Sequence, residues 1–320
     1  MGKTSREERK QIRAHAVTLR KQGWTERAIA HELNLSKTAI HKYLVTAGVS
    51  GIRDHKAPMV TFKPRTQVTK GVEFHSFLGK VEDFQTELRF PLIIADPPWN
   101  ISVENSMQFT FTDTNGKPHT PMKRDFGSWD FMGDDASYLS KVEVWLQKLF
   151  DLATANTWCW FWCSYRYLSH INNSARTIGW EPKGWYVWAK TNVPPLTATI
   201  NGTLLPSLEP CLIFRKGKGQ LRVNKTGHAN YRELPMVPSK ERLQDTENIA
   251  AKPIAILSDF IEWASEPGDW VLDAFAGTGS TSRAALMKRR NAFAVESDKR
   301  QLTLLKLHIE EQYGTSIIHD

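Results

Sequence analysis

Trp270-Val271-Leu272-Asp273 runs as an apolar strand into Ala274-Phe275-Ala276-Gly277-Thr278-Gly279, and Ser282 to Arg289 then reads as a helix. Asn291 to Val295 forms a second apolar strand, and Glu296 closes it with an acid. Strand, glycine turn, helix, strand is the repeating unit of an open α/β sheet, and few other folds accept it. Gly277 and Gly279 permit positive φ and a close approach of backbone to a ligand. Glu296 lies 17 residues beyond Gly279, close to the ~20-residue interval at which an acid on the second strand tip meets ribose hydroxyls. No Gly-Lys-Ser/Thr follows the turn, so it is no Walker loop. Ser282 stands where a third glycine would complete a dinucleotide fingerprint. These residues alone point to an adenosine-containing cofactor and leave NAD and S-adenosylmethionine both open.

A second strand end carries different chemistry. Leu92-Ile93-Ile94-Ala95 is apolar and delivers Asp96-Pro97-Pro98-Trp99 at its carboxyl end, where open α/β sheets bind ligands. Two prolines remove two backbone donors and stiffen the turn. Asp96 then offers a fixed acceptor beside the Pro97 carbonyl, and Trp99 offers a flat face for a planar ring. An acceptor plus a stacking face suits the exocyclic amine of a base. Taken alone, Asp-Pro-Pro-Trp reads equally well as a plain turn; the glycine-turn unit tips the balance.

Together the two motifs resemble the amino-methyltransferases that modify the exocyclic nitrogen of adenine or cytosine in DNA. In that family Asp-Pro-Pro-Tyr/Trp is catalytic and Phe-x-Gly-x-Gly binds S-adenosylmethionine. The catalytic motif comes first here, as in the permuted β class, and the resemblance spans roughly residues 71 to 310. Weaker stretches agree with it: Asp125 to Asp130, Trp185 to Pro195, Ser207-Leu208-Glu209 with Leu208 in place of a His, and Ala251-Lys252-Pro253. The resemblance implies a Rossmann-like methyltransferase sheet and S-adenosylmethionine as cofactor. It implies Asp96, Pro97, Pro98 and Trp99 as catalytic residues. Asp273, Phe275, Gly277, Gly279, Glu296 and Lys252 would form the cofactor pocket. Asp as first residue of the motif favours N6 of adenine, whereas Ser favours N4 of cytosine. Trp in fourth place also occurs in RNA adenine methyltransferases, but those generally lack the Phe-x-Gly-x-Gly turn, so DNA is preferred. A non-catalytic regulator that keeps a degenerate methyltransferase domain is the contrasting class; intact motifs argue against it. An NAD-dependent dehydrogenase leaves Asp96 to Trp99 unexplained.

The charge is uneven. Residues 1–70 hold fifteen Lys/Arg and five Asp/Glu, a net of +10, in a chain whose total is +8. Thr4 to Lys21 reads as a helix with Ile12, Ala16, Val17 and Leu19 as its stripe. Glu26 to Leu33 reads as a second helix. A third, Lys37 to Ala47, is capped by Ser36. This pattern resembles a resolvase-like helix-turn-helix, whose third helix enters the major groove. Lys37, Thr38, His41 and Lys42 would then face DNA; a protein-binding three-helix module is the alternative. Residues 48–70 read as a basic linker and 71–320 as the methyltransferase domain, with target recognition at about 191–248. The basic run Arg215, Lys216, Lys218, Arg222, Lys225 offers phosphate contacts there or a solvated face.

The fold class expected is therefore α/β, with a small all-α N-terminal helix-turn-helix domain. No run of 18 apolar residues crosses a membrane, and the N-terminus lacks a signal pattern. Cys159, Cys163 and Cys211 read as reduced core thiols, and no metal set is expected. The expected compartment is the cytoplasm with its nucleoid, or the nucleus in a eukaryote. DNA is the expected partner; a homodimer and a restriction partner are left open.

Overall fold

The computed structural model describes residues 6–21, 26–33, 35–49, 71–101, 111–112, 118–119, 130, 132–193, 207–223, 227–237 and 251–319. Three helices open it: α1 (Arg6–Lys21), α2 (Glu26–Glu32) and α3 (Lys37–Thr46). The strands that follow are β1 (Phe74–Leu78), β2 (Phe90–Ala95), the two-residue pair β3 (Phe111–Thr112) and β4 (Pro118–His119), and β5 (Ala153–Trp162). Next come β6 (Glu181–Lys190), β7 (Leu208–Lys216), β8 (Tyr231–Leu234), β9 (Trp270–Asp273), β10 (Asn291–Glu296) and β11 (Ile318–His319). The remaining helices are α4 (Asp135–Leu152), α5 (Leu168–Ile178), α6 (Ile254–Ala264), α7 (Ser280–Met287) and α8 (Lys299–Tyr313).

Nine strands form one sheet in the order β11-β1-β10-β9-β2-β5-β7-β6-β8. From β11 to β5 all neighbours are parallel, and β7 runs antiparallel to both β5 and β6. The parallel strands read as continuous apolar runs because helices cover both faces. Ile93, Phe161 and Leu272 pack with Tyr138, Val142, Leu146 and Leu149 of α4 and Ile171 of α5. On the opposite face Leu92, Ile94 and Trp160 pack with Ile256, Phe260 and Ile261 of α6, Ala284 of α7 and Leu305 of α8. The Trp160 and Phe260 rings stack at 3.8 Å between centroids.

The chain proceeds outward from β9 through α7 to β10, and from β2 through α4 to β5 on the other side. β9 and β2 are therefore the switch point of the sheet, the place where an open α/β sheet splits into a crevice. Their register pairs Ile94 with Asp273, and the Ala274 amide donates to the Ile94 carbonyl at 3.1 Å. Two motifs almost 180 residues apart thus leave neighbouring strands at one edge.

The three N-terminal helices bury Ala16, Leu19, Ile29, Ala30, Ile40 and Leu44 together with Leu304 and Leu307 of α8. Ser36 caps α3 by accepting from the Ala39 amide. Lys299 at the start of α8 pairs with Glu32. The helix starts and stops differ from the sequence expectation by two residues or fewer at each end. The linker 48–70 lies outside the described residues except for 48 and 49. Among the described residues no helix is long and apolar enough to cross a membrane, and no His/Cys/Asp/Glu group is placed to hold a metal. Cys159, Cys163 and Cys211 are buried free thiols, whose pKa values burial drives upward.

Candidate active site

Asp96 follows β2 directly, and a shell of later residues fixes its loop. The buried Asp130 carboxylate accepts the Trp99 amide at 2.7 Å and the Ile101 amide at 2.9 Å. The Tyr138 hydroxyl donates to the Pro98 carbonyl at 3.0 Å. Asn100 takes positive φ (53°), a conformation Asn tolerates better than most residues. Its side chain donates to the Gly133 carbonyl and accepts the Met132 amide. Two prolines cannot bind the loop through their own nitrogens, so these neighbours supply the order.

The carboxylate of Asp96 is engaged on both oxygens. Lys252 Nζ lies 2.6 Å from Oδ2, and Trp99 Nε1 donates to Oδ1 at 3.2 Å. Lys252 is buried, sits 4.8 Å from the Trp99 ring centroid and 5.3 Å from that of Trp162, and also faces Glu209 at 3.4 Å. Burial raises the Asp96 carboxyl above its ordinary pKa, and the Lys252 ammonium opposes that rise. For Lys252, burial favours the neutral amine, but Asp96 and Glu209 together outweigh it and hold the ammonium charged. Sequence reasoning assigned Lys252 to the cofactor pocket; the structure places it against the catalytic-loop carboxylate. One face of Trp99 is correspondingly taken by a cation, leaving less free stacking surface than the sequence suggested.

The glycine turn is braced from within its own unit. Glu296 accepts the Gly277 amide on Oε2 at 2.6 Å and the Asp298 amide on Oε1 at 2.7 Å. Burial lifts the Glu296 carboxyl pKa against these two donors. Gly277 and Gly279 have φ of 51° and 72°. A Cβ on Gly279 would stand 2.1 Å from Leu305 Cδ1, so this glycine lets the turn approach α8 closely. Asp273 accepts the Ser282 amide at 3.0 Å and its hydroxyl at 2.8 Å. Ser282 is thereby the peg that seats α7 on β9, which explains a serine in the third-glycine position. Burial pushes the Asp273 carboxyl up to about 7. Phe275 meets Trp145 of α4 edge-on at 5.2 Å. Of the six residues expected at the cofactor, Glu296 and the turn glycines stand at the crevice tip, while Asp273 and Phe275 brace the turn from behind.

A family model described as DNA methylase matches residues 90–307, more than half the chain. The chain belongs to the N6/N4 DNA methylase family. The type II methyltransferase M.HinfI of Haemophilus influenzae is 26% identical over 232 residues, which cover 69% of this chain and 63% of that protein. The matched region therefore spans less than two thirds of that relative's length. The M1.HpyAVI–SAM complex superposes with a TM-score of 0.53 at 24% identity, covering 74% of this chain and 98% of that one. PvuII DNA methyltransferase, a cytosine-N4-specific enzyme, superposes at 0.52 with 13% identity over 77% of this chain and 93% of its own. At these identities the likeness is one of fold, and the fold does not choose between bases.

This DNA methylase family works with S-adenosylmethionine, and the crevice suits that group. A buried acid at the β10 tip retains acceptor capacity for a ribose diol, because each oxygen spends one lone pair on a backbone amide. Sequence reasoning missed Glu209, Lys190 and Tyr138 as site residues and gave Asp130 no role. Glu209 accepts from Lys190 as well as facing Lys252. The signal for Lys190 and Glu209 lay in the stretches Trp185 to Pro195 and Ser207-Leu208-Glu209, which hold them at the ends of β6 and β7. Three of the described residues of the basic run have partners within the protein. Arg215 pairs with Glu181, Lys216 donates to the Phe150 carbonyl at the end of α4, and Arg222 pairs with Glu266. Because β7 is antiparallel, Arg215 and Lys216 lie beside Trp158 and Thr157, at the end of the sheet opposite Asp96. Lys225 and much of 191–248 fall outside the described residues, and β7 and β8 occupy part of what remains of that region.

Proposed function

We propose that this chain transfers the methyl group of S-adenosylmethionine to the N6 amine of adenine in DNA. The observation that carries the reading is the adjacency of β2 and β9, which brings the Asp96 carboxylate and the Glu296-braced glycine turn to one crevice. The cofactor supplies an electrophilic methyl carbon on a sulfonium. An exocyclic amine is a weak nucleophile because its lone pair is delocalised into the ring. Asp96 and the Pro97 carbonyl accept its two N–H bonds and favour a pyramidal nitrogen with a localised lone pair. The Tyr138 hydroxyl donates to the Pro98 carbonyl and so steadies the loop beside the Pro97 acceptor. Trp99 orients the ring, and Asp96 is the acceptor nearest the proton that the amine gives up. Alignment of amine and methyl carbon then provides the rate through proximity. A paired base cannot present its amine in this way, so duplex DNA is flipped. Asp in the first motif position supports adenine over cytosine.

The N-terminal helices fit a DNA-contacting role. Lys37, Thr38, His41 and Lys42 are all exposed on α3, and His41 Nδ1 is 2.9 Å from Glu26. Replacing Lys37 and Lys42 together by Gln is expected to lower the salt slope of DNA binding by about two. For the reaction itself, unmethylated duplex DNA is incubated with methyl-labelled cofactor and its nucleosides are resolved by mass spectrometry. N6-methyladenosine in the deoxy series supports the reading; N4-methylcytosine, or a preference for RNA, overturns it.

A further inference from the structure

Four charged side chains form a chain inward from the protein's edge. Lys190 ends β6, Glu209 lies at the start of β7, Lys252 precedes α6, and Asp96 follows β2. The contacts run Lys190 to Glu209, Glu209 to Lys252 and Lys252 to Asp96. Glu209, Lys190 and Lys252 have side chains only 11%, 17% and 5% exposed, so water screens these charges little. The first pair joins the end of β6 to the start of β7, where the Lys190 amide also donates to the Ser207 carbonyl at 2.7 Å.

The chain as a whole is two ammonium groups against two carboxylates, so no member is compensated without the others. Lys252 stands between Glu209 at 3.4 Å and Asp96 at 2.6 Å, and Glu209 is itself held by Lys190, so the placement of Lys252 against Asp96 depends on all four side chains. We propose that Glu209 is a positioning residue of the transfer site, which, held by Lys190, sets the placement of Lys252 and through it that of Asp96. This rests on the reading of Asp96 as the amine acceptor.

The test is a double-mutant cycle on methyl transfer to unmethylated duplex DNA, with the full chain and labelled cofactor. Glu209→Gln is expected to lower kcat by at least about tenfold, since it leaves a buried ammonium undercompensated, with KM for the cofactor unchanged within about twofold. Lys190→Gln should also lower kcat, and the double variant should lose no more than the worse single one, because the residues act as one unit. Glu209→Asp should recover part of the loss. A purely structural role would lower the melting temperature while leaving kcat per cofactor-binding molecule intact. Glu209→Gln with kcat within about twofold of wild type, or losses that multiply in the double variant, overturns the proposal. Should Glu209→Gln fail to fold, Lys190→Gln decides alone by the same twofold criterion. Failure of the functional reading looks different: wild-type protein would bind cofactor and transfer nothing.

Discussion

The two halves of the crevice are held in opposite ways. On the β9–β10 side, Asp273, Gly277, Gly279, Ser282, Glu296 and Asp298 hold one another within a single strand-turn-helix-strand unit. On the β2 side, Asp96 to Ile101 depend on Asp130, just before α4, on Tyr138, at its start, and on Lys252, more than a hundred residues further on. A local unit forms its geometry once its own backbone folds. The catalytic loop acquires its geometry only when the whole sheet closes. The difference predicts that damage on the β2 side abolishes transfer while sparing cofactor binding, and that damage on the β9 side costs stability and cofactor binding together.

The largest effect expected is from Asp96→Ala. It removes the acceptor for the amine and should reduce methyl incorporation by about 10³ or more, by analogy with loss of one preorganised charge-stabilising group. Cofactor affinity measured by titration should hold. Retained turnover would break the comparison at its centre. Asp130→Ala comes next. It deprives two backbone amides of a charged acceptor, each bond of this kind being worth roughly 1.5–3 kcal/mol, so the loop carrying Trp99 loosens. Turnover should fall by about 10- to 100-fold, with cofactor binding again unaffected; an equal loss of both would mean that the two halves are not separable.

Legibility followed the same division. The β9 unit, the acid at its second strand and the three N-terminal helices were readable because their signals are local: strand periodicity, a glycine turn, a cap at Ser36. Asp96 was readable only because the glycine-turn unit elsewhere in the chain gave its strand-end motif a context. The Lys252–Glu209 contact was not, because it comes from β7 lying between β5 and β6, and strand order is set by long-range packing that no local pattern encodes. The place of the basic run was not legible for the related reason that β7 is reversed, which carries Arg215 and Lys216 to the far end of the sheet. Net charge on a segment says nothing of which edge the segment reaches.

Gly279→Ala tests the β9 side. The new methyl group meets Leu305 and occupies a left-handed backbone position. Overpacking of about 1–3 kcal/mol adds to roughly 1–2 kcal/mol for the backbone, read as a lowered unfolding midpoint in denaturant. Cofactor affinity should decline with it. Unchanged affinity in a destabilised variant would show that the turn is a structural clasp alone.

The smallest effect is the pH dependence of that clasp. Asp273 has a folded pKa of about 7, above the ordinary carboxyl value near 3.9. The folded protein therefore holds a proton that the unfolded chain has released between those two values. Unfolding free energy must fall as pH rises through this window, because the native state binds more protons there. The contribution is complete below about pH 4 and gone above about pH 7. Asp273→Asn keeps an acceptor for the Ser282 amide and hydroxyl but has no proton to lose. Its stability should vary less between pH 4 and 7 than that of the wild type in parallel denaturant titrations. Identical slopes would mean that Ser282 and its two hydrogen bonds keep Asp273 ionised throughout, making the clasp a charged one on both sides of the crevice.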